Sequence, residues 1–164
     1  MFIKKKNLRI ASFFAGAGGL DLGFQQADFD VVWANEYDKR IWDTYRKNHP
    51  ATILDTRSIT EIKPEELDAN IDGIIGGPPC QSWSLAGAMR GIEDPRGRLF
   101  YDYIRMVAEI KPKFFLAENV KGMVSKRHIE TYEKIKSQFA ELGYEIYSQI
   151  FDVKNFQVPQ ERSR

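Results

Sequence analysis

Short apolar runs alternate along this chain with stretches whose apolar residues recur at helical spacing. Leu8 to Phe14 is the first run, and it breaks at Ala15-Gly16-Ala17-Gly18-Gly19. A short helix is predicted next, through Leu22 and Phe24, then a second strand over Asp30 to Ala34. Helical spacing resumes from Tyr37 to about Asn48, before a short third strand near Ile53. The fourth strand, Ile71 to Ile75, ends in Gly76-Gly77-Pro78-Pro79, and a polar, glycine-bearing loop follows to Gly97. Phe100, Tyr103, Ile104 and Val107 then fall at i, i+3, i+4 and i+7 on one helical face. Phe114 to Ala117 is a fifth strand. Tyr132, Ile135, Phe139 and Leu142 line a further helix that Gly143 is placed to terminate. Tyr144 to Val153 alternates weakly and is predicted as a last strand. Strands alternating with amphipathic helices imply an α/β fold, an open and mostly parallel Rossmann-like sheet with helices on both faces.

Composition narrows the picture without redirecting it. An apolar share of 43% and a charged share of 29% over 164 residues suit one soluble globular domain, not a disordered or collagen-like chain. The 24 basic residues nearly cancel the 23 acidic ones, so a polyanion would have to be held by a local patch. A single cysteine excludes an internal disulfide and a multi-thiolate metal site, and no metal is expected. Met1 to Lys6 carries charge with no apolar stretch behind it, unlike a signal peptide, and no apolar run approaches the roughly 20 residues of a membrane helix. No membrane partner is expected; a soluble chain in a reducing compartment is.

Candidate chemistry collects just after the strands, where open α/β sheets bind ligands. The glycines of the first turn, Gly16, Gly18 and Gly19, would let backbone approach a ligand closely. The turn departs from the dinucleotide pattern because Asp21 takes the third glycine position, where a carboxylate at the helix start would repel a pyrophosphate. A ligand without phosphates fits better. Glu36, about 20 residues on, suits a carboxylate that takes two ribose hydroxyls, and Asp55 suits an acceptor for an adenine amino group. The only thiol, Cys80, follows two stiffening prolines and opens a polar loop, a setting for a nucleophile more than for a buried structural cysteine. Glu118, at the end of the neighbouring strand, suits an acid or hydrogen-bond partner.

Four blocks in order, Phe14-Ala15-Gly16-Ala17-Gly18-Gly19, Gly77-Pro78-Pro79-Cys80-Gln81, Glu118-Asn119-Val120 and Gln160-Glu161-Arg162-Ser163-Arg164, resemble the motifs of cytosine-C5 DNA methyltransferases. Arg90 to Gly97 also resembles that family's active-site loop, and Ser82-Trp83-Ser84 looks like the bacterial DNA-modifying branch, its GGCC-modifying members in particular, more than the branch that methylates tRNA. The resemblance implies the S-adenosylmethionine-dependent methyltransferase fold, with S-adenosyl-L-homocysteine as product. It implies that Phe14 stacks on adenine, that Ala15 belongs to the same turn, that Tyr37 lies beside the adenine and Thr56 beside Asp55 (where the family usually has isoleucine), and that Pro78, Pro79 and Leu99 line the cofactor pocket. It makes Cys80 the nucleophile towards C6 of a flipped-out cytosine and Glu118 the partner of N3 and the exocyclic amino group, with Arg162 and Arg164 in support. Gln81, Ser84, Arg90 and Arg96 become contacts to double-stranded DNA. It implies a bacterial restriction-modification enzyme acting in the cytoplasm at the nucleoid. It further implies that residues 1–164 are the N-terminal catalytic part, truncated at the C-terminal side and without the target-recognition region and later motifs: a shortened gene product, one subunit of a split enzyme, or a fragment that folds only with a complementing C-terminal polypeptide. The competing expectation is an inactive binding module or a subunit that needs that complement.

Overall fold

A computed structural model describes residues 7–68, 70–79 and 95–164, the side chains of 95–98 excepted. Cys80, Gln81, Ser84 and Arg90 therefore lie outside the described residues, and of Arg96 only its backbone place in a helix is described. Five strands form one sheet: β1 (Arg9–Phe13), β2 (Asp30–Asn35), β3 (Ile53–Asp55), β4 (Gly73–Gly76) and β5 (Phe114–Ala117). Four helices accompany them: α1 (Gly19–Gln26), α2 (Trp42–Asn48), α3 (Pro95–Ile110) and α4 (Ile129–Glu141). The order is β3-β2-β1-β4-β5 and every neighbouring pair is parallel.

The chain moves outward from β1 to β3, then returns to place β4 and β5 on the other side of β1. Right-handed crossovers put helices on opposite faces when the winding reverses in this way. The crevice that such a reversal opens lies at the carboxyl ends of β1 and β4. Register makes this edge explicit. Asp55 pairs with Asn35, Asn35 with Phe13, Phe13 with Gly76, and Gly76 with Ala117, so the five last residues stand in one row. The next residues along the chain, Phe14, Glu36, Thr56, Gly77 and Glu118, are those that leave the sheet there.

Two compact units are present. The sheet unit comprises Met1–Gly77 and Arg105–Ala117; the second comprises Pro78–Ile104 and Glu118–Arg164. In the sheet unit, Ile10, Val31 and Ile75 form a buried cluster against which Leu20, Phe24, Phe29 and Phe114 pack. Burying each such side chain contributes about 1.5–3 kcal/mol. Asp21 is fully buried on α1. Its two oxygens accept hydrogen bonds from the Ser12 hydroxyl of β1 (2.6 Å) and the Tyr45 hydroxyl of α2 (2.5 Å). This corrects the sequence reading. The Asp21 charge points into the protein and does not face a ligand, because two buried hydroxyls satisfy it there. Burial and the neighbouring Asp21 charge push the Tyr45 hydroxyl pKa far upward, so it stays a donor.

Two boundaries and one element differ from expectation. Helix α2 begins at Trp42 and not at Tyr37, and α3 begins at Pro95, inside the stretch read as loop. Proline at a first helical position fits, since its fixed φ is already helical and its missing N–H is not needed. Tyr144 to Val153 is not a strand. Among the described residues only Asp152 forms a bridge, antiparallel to Ser163. The alternation there was real but local, and the pairing partner is the arginine-bearing end of the chain, joined by Phe151 and Arg164 exchanging backbone bonds of 2.6 and 2.9 Å. Gly143 ends α4 as expected: φ is 92°, the Tyr144 N–H reaches the Phe139 carbonyl and the Gly143 N–H reaches that of Ala140.

Gly73, at the start of β4, is required by packing. A Cβ there would lie 2.4 Å from the Phe114 ring and 2.8 Å from Ile10 Cδ1. Gly73→Ala is expected to cost about 1–3 kcal/mol by overpacking, read as a lower midpoint in urea unfolding.

Candidate active site

The turn after β1 is built from unusual backbone. Phe14, Gly16 and Gly18 have φ of 53°, 58° and 84°, all in the left-handed region. Glycine tolerates this, whereas a phenylalanine there is an outlier of the kind that costs about 1–3 kcal/mol and clusters at ligand sites. Phe14 is half-buried. No atom lies within 4 Å of the position a Cβ would take on Gly16 or Gly19, so a ligand can approach the bare backbone there. Gly19 and Leu20 open α1, and their N–H groups are among those a helix leaves without an internal partner. Ala15 is tied down by its N–H to the Asn35 carbonyl, 3.0 Å.

Glu36 fastens this turn to the second strand. Its carboxylate accepts from the Gly16 N–H (2.8 Å) and the Asp38 N–H (2.6 Å), while its own carbonyl accepts from the Trp42 indole (2.8 Å). Each carboxylate oxygen keeps a second lone pair, and the side chain is half-buried, so the group can still take a pair of hydroxyls. Tyr37 beside it is 72% exposed, a free aromatic face at the same edge. Asp55 is already engaged. Its carboxylate accepts from Arg57 N (3.0 Å), Nε (3.1 Å) and Nη2 (2.6 Å), and Arg57 also pairs with Glu66. Burial opposes the Asp55 charge, yet the Arg57 hydrogen bonds and guanidinium hold its carboxyl below the usual range. Thr56 is half-buried in the bend between them. These residues fit an adenosyl group: glycine backbone, a diol-binding carboxylate and flat aromatic surface, with no cation along the turn to call for phosphate.

The second unit brings three separated sequence blocks together. Pro78 is buried, and its carbonyl accepts from Asn119 Nδ2 at 3.1 Å, while Asn119 Oδ1 takes the Val120 N–H at 2.9 Å. Asn119 thus pins the backbone two residues before the thiol. Arg164 Nε lies 2.9 Å from Glu118 Oε1, with side-chain exposures of 27% and 39%. A pair this wet is worth little in stability, so its effect is to orient the carboxylate. Arg162 is exposed, and its carbonyl accepts from the Val153 N–H. Pro79 and Leu99 are half-buried. Among the described residues no cluster of potential metal ligands occurs, and no helix is long and apolar enough to cross a membrane. Asn35, Arg57 and Trp42 escaped the sequence reading, and Asn119 entered it only within the Glu118-Asn119-Val120 block, with no role of its own. Only Asn35 carried a signal, as a polar residue ending a buried strand.

A profile of C-5 cytosine-specific DNA methylases matches residues 8–164. The chain belongs to this family. Among the C-5 cytosine-specific methylases it is 55% identical to the type II methyltransferase M.FnuDI of Fusobacterium nucleatum, over 96% of this chain and 45% of that protein. It is 52% identical to M.NgoPII of Neisseria gonorrhoeae, over 96% of this chain and 46% of the relative. A crystal structure of a prophage-encoded E. coli protein described as a DNA modification methyltransferase superposes with a TM-score of 0.81 at 31% identity, covering 96% of this chain and 44% of that one. The methylase fold expected from the sequence is thus the observed one, and this chain spans less than half the length of those relatives.

Because Glu36 holds two backbone donors with its two oxygens, Glu36→Gln turns one of them into a mismatched amide. We expect a loss of about 1–3 kcal/mol, measurable by thermal unfolding, with Glu36→Asp losing less.

Proposed function

We propose that this chain is the N-terminal catalytic part of a DNA (cytosine-5-)-methyltransferase of a restriction-modification system, acting on double-stranded DNA in the bacterial cytoplasm. The observation that carries the reading is the assembly of Pro78, Asn119, Glu118 and Arg164 in one unit, because it joins the backbone leading to the thiol with an oriented carboxylate. The relatives' names support DNA as the substrate. Bound S-adenosylmethionine supplies a methyl group on a positively charged sulfur, the electrophile that an enamine carbon can attack.

The protein's own part begins with a base flipped out of the duplex, at a cost of a few kcal/mol. Cys80, as thiolate, adds to C6 of the cytosine ring and forms an S–C bond. The ring electron pair moves towards N3, where Glu118 gives a hydrogen bond or proton and also reads the exocyclic amino group. Arg164 holds Glu118 in place for this. C5, now nucleophilic, could accept the methyl group that bound S-adenosylmethionine would supply, the S–CH3 bond breaking to leave S-adenosyl-L-homocysteine. The C5 proton leaves to a solvent base, the C6–S bond breaks, and N3 returns any proton to Glu118, which restores the ring and the Cys80 thiolate. Phe14, the glycine turn with Ala15, Glu36, Tyr37, Asp55, Thr56, Pro78, Pro79 and Leu99 bind the cofactor in this reading. Gln81, Ser84, Arg90 and Arg96 hold the displaced nucleotide's strand, and Arg162 supports the thiol side. The chain covers 45% and 46% of the two relatives, so base readout is assigned in this reading to sequence that corresponds to their remaining length.

Transfer of labelled methyl groups to cytosine-containing duplex DNA tests this. We expect incorporation when the chain is co-expressed with the C-terminal portion of such a relative, and negligible incorporation alone. Cys80→Ser should lower transfer by more than about 1,000-fold. DNA carrying 5-fluorocytosine should become covalently attached at Cys80, since fluorine cannot depart as the C5 proton does. Attachment at another residue, or full turnover by the serine variant, would reject the mechanism.

A further inference from the structure

The proposed cofactor turn is held at two points. Glu36 secures it through the Gly16 N–H. Two residues on, at Gly18, it meets His49, at the carboxyl end of α2, only 3% exposed. A Cβ on Gly18 would lie 2.0 Å from His49 Nε2 and 2.4 Å from Cδ2, so the ring occupies the space a side chain would need. Gly18 is thus glycine twice over, for its φ of 84° and for this contact.

The ring is itself fixed. His49 Nδ1 lies 3.0 Å from Gln25 Oε1 on α1, and the ring stacks on Tyr45 at 4.7 Å with a 30° tilt. With the Gln25 oxygen as acceptor, Nδ1 donates, and the Nε2 and Cδ2 edge of the ring faces Gly18. Tyr45 reaches Asp21, and Asp21 is reached by Ser12, so contacts run without a gap from β1 through α1 and α2 to the turn. Backbone bonds from the His49 N–H to Tyr45 (2.8 Å) and from Thr52 to the His49 carbonyl (3.1 Å) hold the residue from both sides along the chain.

We propose that His49 is a positioning residue for S-adenosylmethionine binding: wedged behind Gly18, it keeps the turn in the left-handed conformation that presents Gly16 and the start of α1 to the ligand. The proposal rests on reading this turn as the cofactor site. Truncating His49 opens a void behind Gly18, and the turn can then relax towards ordinary backbone with Gly16 displaced. Because cofactor affinity depends on the turn being preorganised, it should fall by more than any loss of stability accounts for.

The test is calorimetric titration of the 164-residue chain with S-adenosyl-L-homocysteine, alongside thermal unfolding of each variant. His49→Ala is expected to weaken binding by about 10-fold. Gly73→Ala, destabilised at the opposite end of the sheet, is the control for stability alone and should stay within about twofold. Gly18→Ala should weaken binding strongly in the native chain. In the His49→Ala background its further cost should shrink by about fivefold, since the space is then free and only the left-handed strain is left. If the native chain shows no saturable binding, the cofactor reading falls and this proposal with it. If the native chain binds and His49→Ala binds equally well, or the two substitutions are strictly additive, the wedge alone is overturned and the cofactor reading stands.

Discussion

The sheet unit depends on a carboxylate buried where water cannot reach it. An isolated buried charge costs several kcal/mol, and Asp21 is tolerated only because the Ser12 and Tyr45 hydroxyls both donate to it. Those three residues belong to β1, α1 and α2. The requirement to satisfy one carboxylate therefore sets how both helices dock on the central strand, with far less freedom than apolar packing alone would leave. A slide of either helix by a fraction of a turn would strand a charge in the core. Apolar burial by Ile10, Val31 and Ile75 supplies more of the driving force, but it would accept several neighbouring arrangements.

That docking makes the strained turn after β1 possible. Phe14, Gly16 and Gly18 are held in left-handed backbone, with Glu36 bonded at Gly16 and His49 packed at Gly18. Strain of this kind persists only where the surroundings over-determine the conformation. Here they do so with a hydrogen bond at one glycine and a buried ring at the other. The return is a stretch of bare backbone beside a half-buried carboxylate, the arrangement on which the proposed cofactor reading rests.

The second unit solves a different problem, the assembly of groups far apart in sequence. Asn119 spans to Pro78 and Arg164 to Glu118, the latter brought in by the antiparallel bridge at Asp152 and Ser163. The Arg164–Glu118 pair adds little stability at its exposure. Both bonds restrict rotation, and in the proposed mechanism a carboxylate that meets one edge of a base gains more from being aimed than from being stabilised. The segment that reads as a sixth strand serves this purpose instead of extending the sheet.

The sequence by itself determined the alternation of strands and helices, the parallel sheet and the edge at which the candidate residues leave it. Burial repeats every second or every 3.6 residues and so leaves a local record in residue order. It also determined the family, because the spaced blocks around Gly16, Cys80, Glu118 and Arg162 carry chemistry in their residue types. Tertiary structure alone decided which partners those residues meet. Asp21 turns inward, Asp55 is claimed by Arg57, His49 fills the space behind Gly18, Arg164 pairs with Glu118, and Tyr144 to Val153 stays out of the sheet. Each of these depends on where two elements distant in sequence come to rest, and local periodicity records that a residue is buried or exposed without recording what lies against it.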